Sequence, residues 1–483
     1  MPQSSTLSAP HESETRDGAR DTADLGGAPL LVLGAGPKAI ALAAKSSVLR
    51  AAGFDVPEVV AVERDRTAAN WREGRGWTNG RQRLGTLPEK DLGFPYDCAT
   101  WGDLDDPVIG EIAHRMSGYS WSGFLLSRGV YARWIDRGRP QPTHREWADY
   151  LEWAADRAGM RTVNGEVRRA ELVDGGWQLT VHEGPARNLV HGRGLLISGP
   201  GPTSGTVPAD GVRVLDTGGF WRLAVTGLPD WAERVVVVGA GETAGTIVRE
   251  LALVMDREVT VVAPRATLYS RGESPFENRY YSDPTGWDGL SQADRQEFIR
   301  RTDRAVFSQE VQRDLALTSK ISWMPGRVVG TRGGDDGVAV EVAYGGRQHI
   351  RHADLVVDAT GGSPLWFTRI LGPRAEHALR AALGGAATRD RVEQSIGTSL
   401  AVDGLPAPLH LPNLAGLAQG PGFPNLSSLG LLSDRVLAGY LPRHHVAPAA
   451  AARTGGDVTH RAGRPTDPAA SAASAVIRGT ARR

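Results

Sequence analysis

Two short runs constrain what this chain can fold into. Leu31-Val-Leu-Gly34-Ala-Gly36-Pro37-Lys-Ala39 and Val235-Val-Val-Val-Gly239-Ala-Gly241-Glu-Thr243-Ala244-Gly245 each set a glycine turn between an apolar β run and a helical pattern. In a G-x-G-x-x-A turn the first glycine permits the tight reversal. The second leaves room for a pyrophosphate against the backbone, and the small sixth residue packs helix on strand. The helix N-terminus then offers free N–H groups and the positive end of its dipole to the phosphates. Around these turns strands and helices alternate. Strands are expected at 30–33, 59–62, 195–198, 234–238, 259–262 and 355–358, and helices at 39–50, 146–158 and after Gly241. Such alternation predicts an α/β fold with parallel sheets covered by helices: two Rossmann-like dinucleotide-binding units, the second inserted in the first.

The residues ending the second strand of each unit suggest which nucleotide each takes. After the first turn the strand closes on Val62-Glu63, a carboxylate suited to ribose hydroxyls. After the second, the strand closes on Ala263-Pro-Arg265 without an acid, and Arg271 follows in the next loop. Two arginines in that place favour a 2′-phosphate, hence NADPH over NADH, although both can also be read as solvated loop residues. Expected boundaries are a polar tail at 1–27, a first domain at 28–215, an inserted nicotinamide nucleotide domain with substrate loops at 216–354, a return to the first domain at 355–445, and an Ala/Pro/Gly/Arg-rich tail at 446–483.

Composition removes several classes. Lys+Arg 55 balances Asp+Glu 55, so no global field favours nucleic acid or an anionic membrane. No run approaches a membrane span, and the polar start lacks the apolar stretch of a secretory signal, so a cytoplasmic protein is expected. The single cysteine, Cys98, excludes an intramolecular disulfide, a redox cysteine pair and a thiolate metal cluster, and the scattered histidines suggest no metal site.

Two dinucleotide units in one chain resemble the plan of the two-domain flavoprotein oxidoreductases, with FAD on the first turn and NADPH on the second. Leu195–Gly201 looks like the exit from the FAD domain and Leu355–Gly361 like the return. Disulfide reductase chemistry needs the missing cysteine pair, and no Baeyer-Villiger signature lies between the turns. Molecular oxygen is then the expected electron acceptor.

Longer segments carry a more specific resemblance. Residues 83–95 (RLGTLPEKDLGFP), 132–144 (ARWIDRGRPQPTH), 272–278 (GESPFEN) and 419–427 (QGPGFPNLS), with the turns at 34–39 and 241–244, are similar to the flavin-dependent N-hydroxylating monooxygenases of lysine and ornithine. Within that family the likeness is greatest to the lysine N-oxygenases of mycobactin-type siderophore pathways, and it spans about residues 28–440. The resemblance implies that Lys90 holds the substrate α-carboxylate and that Asn278 contacts substrate and nicotinamide. Asp303 stands where relatives place an asparagine on the substrate, and Gly362 replaces a tyrosine after Ala359-Thr360-Gly361. Thr360, Gly361, Gly420, Gly422 and Leu431, with Trp71 and Trp77, are expected near the cofactors, alongside Gly34, Gly36, Pro37, Glu63, Gly239, Gly241, Thr243, Arg265 and Arg271.

The implied reaction is hydroxylation of the N6 amine of L-lysine, free or as a lysyl precursor, by a C4a-hydroperoxyflavin made from FAD, NADPH and O2. The cofactor supplies the chemistry and the protein supplies placement, so no catalytic side chain is expected. The amine must lose its proton, so its end of the pocket should be desolvated and free of carboxylates. A homo-oligomer, dimer or tetramer, is implied as well. Alternatives are an ornithine or diamine hydroxylase, an uncoupled NADPH oxidase, and a silent flavin-binding protein.

Overall fold

The computed structural model describes residues 27–441 except 75, 97, 98, 102–105, 204, 206, 209–211 and 335. Both tails, Cys98 and the His444-His445 pair lie outside the described residues. Each glycine turn joins a buried strand to a helix. Leu30–Leu33 leads into the helix Pro37–Ala51, whose apolar residues are buried almost all round because it runs between a sheet and further helices. Arg234–Val238 leads into the helix Glu242–Arg249, continued by a π-helical turn at Glu250–Val254.

Two five-stranded parallel sheets carry the architecture. The first runs Leu409–His410, Gly194–Ile197, Leu30–Leu33, Val59–Glu63, Arg161–Asn164. The second runs Ile321–Pro325, Glu258–Ala263, Arg234–Val238, Leu355–Asp358, Val214–Asp216. A three-stranded antiparallel sheet accompanies each, Glu166–Gly192 with the first and Arg327–Ala353 with the second. Each glycine-turn strand is central, so both turns open at the carboxyl ends of their strands, where α/β sheets bind ligands.

The expected domain boundaries need correcting. Leu355–Asp358, read as the return into the first domain, pairs with Arg234–Val238 in the second sheet. Val214–Asp216 joins the far side of the same strand, so the boundary expected after 215 cuts a strand. A four-residue run buried on both faces carries no periodicity that could say which sheet it enters. The chain crosses instead at 198–203 and 360–363, which lie side by side: Thr203 bridges Gly362, and Ser363 N–H donates to Pro202 O at 2.8 Å.

The first sheet closes only with residues from far down the chain. The helix Leu429–Ala438 packs on Pro37–Ala51, and Lys45 and Asp434 form a fully buried ion pair at 2.7 Å. Trp101 Nε1 donates to the same carboxylate at 2.8 Å. No helix among the described residues is long and apolar enough to cross a membrane.

Candidate nucleotide and substrate sites

At the first turn Gly34 has φ +94°, a conformation only glycine adopts without strain. Glu63 does more than end its strand. Its Oε2 accepts from Ala35 N–H at 3.0 Å and its Oε1 from Asp65 N–H at 2.9 Å, so the carboxylate braces the turn whose ligand it was expected to touch. Pro37 opens the helix, Gly36 offers no side-chain cap, and no acid occupies the first turn. By contrast the helix His144–Ala158 is closed by a capping box of Thr143 and Glu146. Uncapped N–H groups suit a phosphate. A Cβ built on Gly36 meets nothing within 4 Å, so the space in front of the turn is open. An open surface groove lined by Arg64, Asp65, Gly74, Asn164, Gly165, Glu166, His182, Glu183, Gly184 and Arg222 adjoins the ends of these strands, without any residue of the turn itself. The residues present thus fit a dinucleotide such as FAD.

Trp71 lies in a segment tied to the turn by Ala68 N–H donating to Ala35 O at 3.0 Å. Its ring meets His144 edge-on at 4.8 Å, and His144 Nδ1 bonds Thr78 Oγ1 at 2.9 Å. Trp77 instead packs on the second core. Burial lowers the His144 imidazole to about 4, and the same cause lowers His410, bonded to Ser399 O and Tyr440 OH, to about 4. Both therefore fold neutral, while the unfolded chain binds their protons below pH 6.5. Their contribution to stability is present above that pH and is lost as pH falls towards 4. Urea unfolding at about pH 4.5 should show a loss of a few kcal/mol relative to about pH 7.5, reduced in a His144→Gln variant. An unchanged loss in that variant would refute the assignment to His144.

The second turn repeats the first. Gly239 has φ +130°, and a Cβ there would lie 2.5 Å from Ala359 O. Thr360 and Gly361 therefore adjoin the nicotinamide nucleotide turn, where Thr360 donates to Asp358 Oδ1 through N–H at 3.0 Å and through its hydroxyl at 2.6 Å. Gly241 is uncapped and open in front, and Thr243 follows in the first helical turn.

Glu242 was missed from the sequence. Its Oε2 accepts from Ser308 N–H at 2.8 Å and from Arg271 Nη2 at 3.3 Å. Arg271, expected at a 2′-phosphate, is thus drawn back to the helix N-terminus, because Arg271 N–H pairs with Phe307 O at 2.7 Å and folds its loop inward. Arg265 stays at the strand end, where its Nη2 donates to Arg304 O at 3.3 Å. Arg265→Ala should lower the NADPH:NADH ratio of kcat/KM about tenfold, while Arg271→Ala should leave it within about twofold. Steady-state rates with both nucleotides check this, and the reverse pattern would restore Arg271 to the phosphate.

Lys90 is half-buried, and no protein carboxylate pairs with it among the described residues. Desolvation lowers its ammonium, Arg271 lowers it further, and Glu273 opposes. The loop is anchored by Asp91, whose carboxylate accepts from Tyr96 OH at 2.7 Å, Trp121 N–H at 2.8 Å and Gly93 N–H at 3.2 Å. Asn278 spends Nδ2 on Glu273 O at 2.9 Å, a local loop contact. Asp303 ends the helix Gln292–Thr302. Desolvation raises its carboxyl, while Arg271, Arg304 and Arg389 and a hydrogen bond from Asn425 oppose that. Lys90, Glu273 and Asp303 therefore gather around Arg271. Gly420 and Gly422 have a packing reason: a Cβ would come within 2.7 Å of Pro284 Cβ in the first case and 2.6 Å of Tyr281 O in the second. Leu431 packs on the first core from the helix Leu429–Ala438.

Comparison with known proteins places this geometry. The family model for L-lysine 6-monooxygenase/L-ornithine 5-monooxygenase matches residues 109–316. L-lysine N6-monooxygenase MbtG of Mycolicibacterium paratuberculosis is 45% identical over 416 residues, covering 85% of this chain and 95% of the relative. The chain belongs to this monooxygenase family. Among solved structures, lysine monooxygenase NbtG from Nocardia farcinica is 47% identical with TM-score 0.75, covering 85% of this chain and 100% of that one. The ornithine N-hydroxylase KtzI of Kutzneria sp. 744, solved with reduced FAD, NADP+ and L-ornithine, shares the fold at TM-score 0.67 and 22% identity, covering 85% of this chain and 98% of that one. The resemblance read from the sequence is thereby borne out at the level of family and fold.

Proposed function

We propose that this protein is an FAD- and NADPH-dependent L-lysine N6-monooxygenase that supplies N6-hydroxylysine units for a hydroxamate siderophore of the mycobactin type. The observation that carries the reading is the cation at Lys90, partly desolvated and without a carboxylate partner, in a family member whose two glycine turns are both open and uncapped. FAD is held by the first turn with Gly34, Gly36, Pro37 and Glu63, and NADPH by the second with Gly239, Gly241, Thr243 and Arg265. Bound flavin, reduced by NADPH, supplies the activation of oxygen. The chain's own work is placement. Lys90 takes the α-carboxylate, with Arg271 beside it as a second cation partly neutralised by Glu242 and Glu273. Asp303 and Asn278 border the α-amine end. Holding charge recognition at that end leaves the side-chain amine to a less solvated environment, which favours its neutral, nucleophilic form.

The experiment is product analysis by mass spectrometry with holoenzyme, NADPH, oxygen and L-lysine, run beside L-ornithine and cadaverine. Gain of one oxygen on lysine alone supports the proposal. NADPH consumption with peroxide and unmodified lysine overturns it for free lysine and favours a lysyl precursor or an oxidase.

A further inference from the structure

The loop leading into the helix Pro275–Ser282 is pinned at nearly every residue. Arg271 N–H donates to Phe307 O at 2.7 Å, Gly272 N–H to Arg301 O at 3.1 Å, and Ser274 N–H to Glu277 Oε2 at 2.9 Å. Glu273 is held as well, because Asn278 Nδ2 donates to its carbonyl oxygen at 2.9 Å. The helix is already closed by a capping box of Ser274 and Glu277, so the Glu273 carboxylate has no capping duty. Its nearest side-chain cation is Arg271 Nε at 3.8 Å, beyond hydrogen-bond reach. That Nε is buried and has no hydrogen-bond partner among the described residues. Glu273 is half-buried and takes a backbone hydrogen bond from Gln309. Desolvation raises its carboxyl, while Arg271, the Gln309 N–H and Lys90 oppose that.

A free amino acid carries opposite charges on one carbon. A site offering only cations gains on the carboxylate and loses on the ammonium. Lys90 and Arg271 supply the positive side here. Two carboxylates stand near them. Asp303 takes a hydrogen bond from Asn425 and lies in the field of Arg271, Arg304 and Arg389. Glu273 is the carboxylate whose charge acts on Lys90. It therefore stands within reach of a group bound to that lysine, on a loop that the Asn278 side chain fixes.

We propose that Glu273 is the specificity-determining partner of the substrate α-ammonium, so that the site reads both charges of a free α-amino acid and rejects lysine whose α-nitrogen is acylated or in a peptide bond. This rests on Lys90 holding the α-carboxylate. Acylation removes the ammonium and leaves Glu273 without its partner. A Glu273 that merely neutralises Arg271 and Lys90 would act alike on every amine bearing a carboxylate.

The test compares holoenzyme with its Glu273→Gln variant on L-lysine, on 6-aminohexanoate, which lacks only the α-amine, and on Nα-acetyl-L-lysine. Initial rates of hydroxylated product give kcat and KM for each. The parent should favour L-lysine over either analogue at least about tenfold in kcat/KM. Glu273→Gln should raise KM for L-lysine at least about tenfold with kcat within about threefold, and should leave KM for 6-aminohexanoate within about threefold. Glutamine is isosteric, and flavin content with a thermal melt reports the variant's folding. An unchanged KM for L-lysine in Glu273→Gln, or equal rises for L-lysine and 6-aminohexanoate, would overturn the proposal. So would a parent that hydroxylates Nα-acetyl-L-lysine as efficiently as L-lysine, a comparison that needs no variant. Lys90→Met is the control for the underlying reading: it should raise KM for both L-lysine and 6-aminohexanoate, since both keep the carboxylate, and no rise with either would sink that reading instead.

Discussion

Lys90→Met is expected to raise KM for L-lysine roughly 30- to 150-fold while kcat at saturation changes less than about threefold. Methionine keeps most of the unbranched stem and removes the charge. A charge-assisted hydrogen bond in a partly desolvated site is worth about 2–3 kcal/mol, and each 1.4 kcal/mol is tenfold. The contact is to the α-carboxylate, far along the substrate from the reacting nitrogen, so its loss weakens ground and transition states alike and appears in KM. Cadaverine supplies the control. It has no carboxylate, and its turnover, however slow, should be unchanged by the substitution. Initial rates of hydroxylated product for the two amines measure this directly. Equal losses with both would show that Lys90 supports the loop that Asp91 anchors and does not recognise substrate.

Gly36→Val should abolish stable FAD binding, by more than about a hundredfold, and leave the apoprotein's unfolding midpoint within about 2 °C of the parent. The residue has φ −94° and ψ −171°, an extended conformation that valine accepts, and its Cβ would meet no protein atom within 4 Å. Only a bound pyrophosphate is obstructed. Gly34 behaves otherwise, since its φ of +94° and a Cβ contact of 2.8 Å to Ser198 Oγ make any side chain there a folding defect. Flavin content after purification and a melt without FAD separate the two effects. A Gly36→Val chain that purifies yellow would remove the pyrophosphate from the first turn.

Much of this fold was legible because glycine turns are local: one strand, one reversal and one helix lie within about fifteen residues, and each element obeys its own period. Both turns, the parallel sheets and the helix starting near Glu146 were read in this way. The sheet membership of Leu355–Asp358 was not, because a short strand buried on both faces looks the same in either sheet. Site residues divide along the same line. The strand end points to Glu63 as a ribose ligand, whereas its bracing of Ala35 and Asp65 is a contact across loops that the sequence does not show. Arg271 is expected at a 2′-phosphate because it lies in the loop after that strand, whereas its backbone bond to Phe307 turns it to Glu242. Gly420 and Gly422 were assigned to a cofactor, whereas Pro284 and Tyr281 already account for them.

The ion pair between Lys45 and Asp434 also fixes an order of events during synthesis. The first sheet draws one strand from 409–410, and the helix behind its glycine turn is covered by 429–438. The second sheet needs nothing beyond residue 358. On a ribosome the inserted unit therefore emerges whole while the earlier one still lacks its edge and its cover. The nucleotide site encoded first is completed last, and a chain cut short before Asp434 keeps an intact second sheet beside a first unit whose Lys45 is left buried without its partner, or not buried at all.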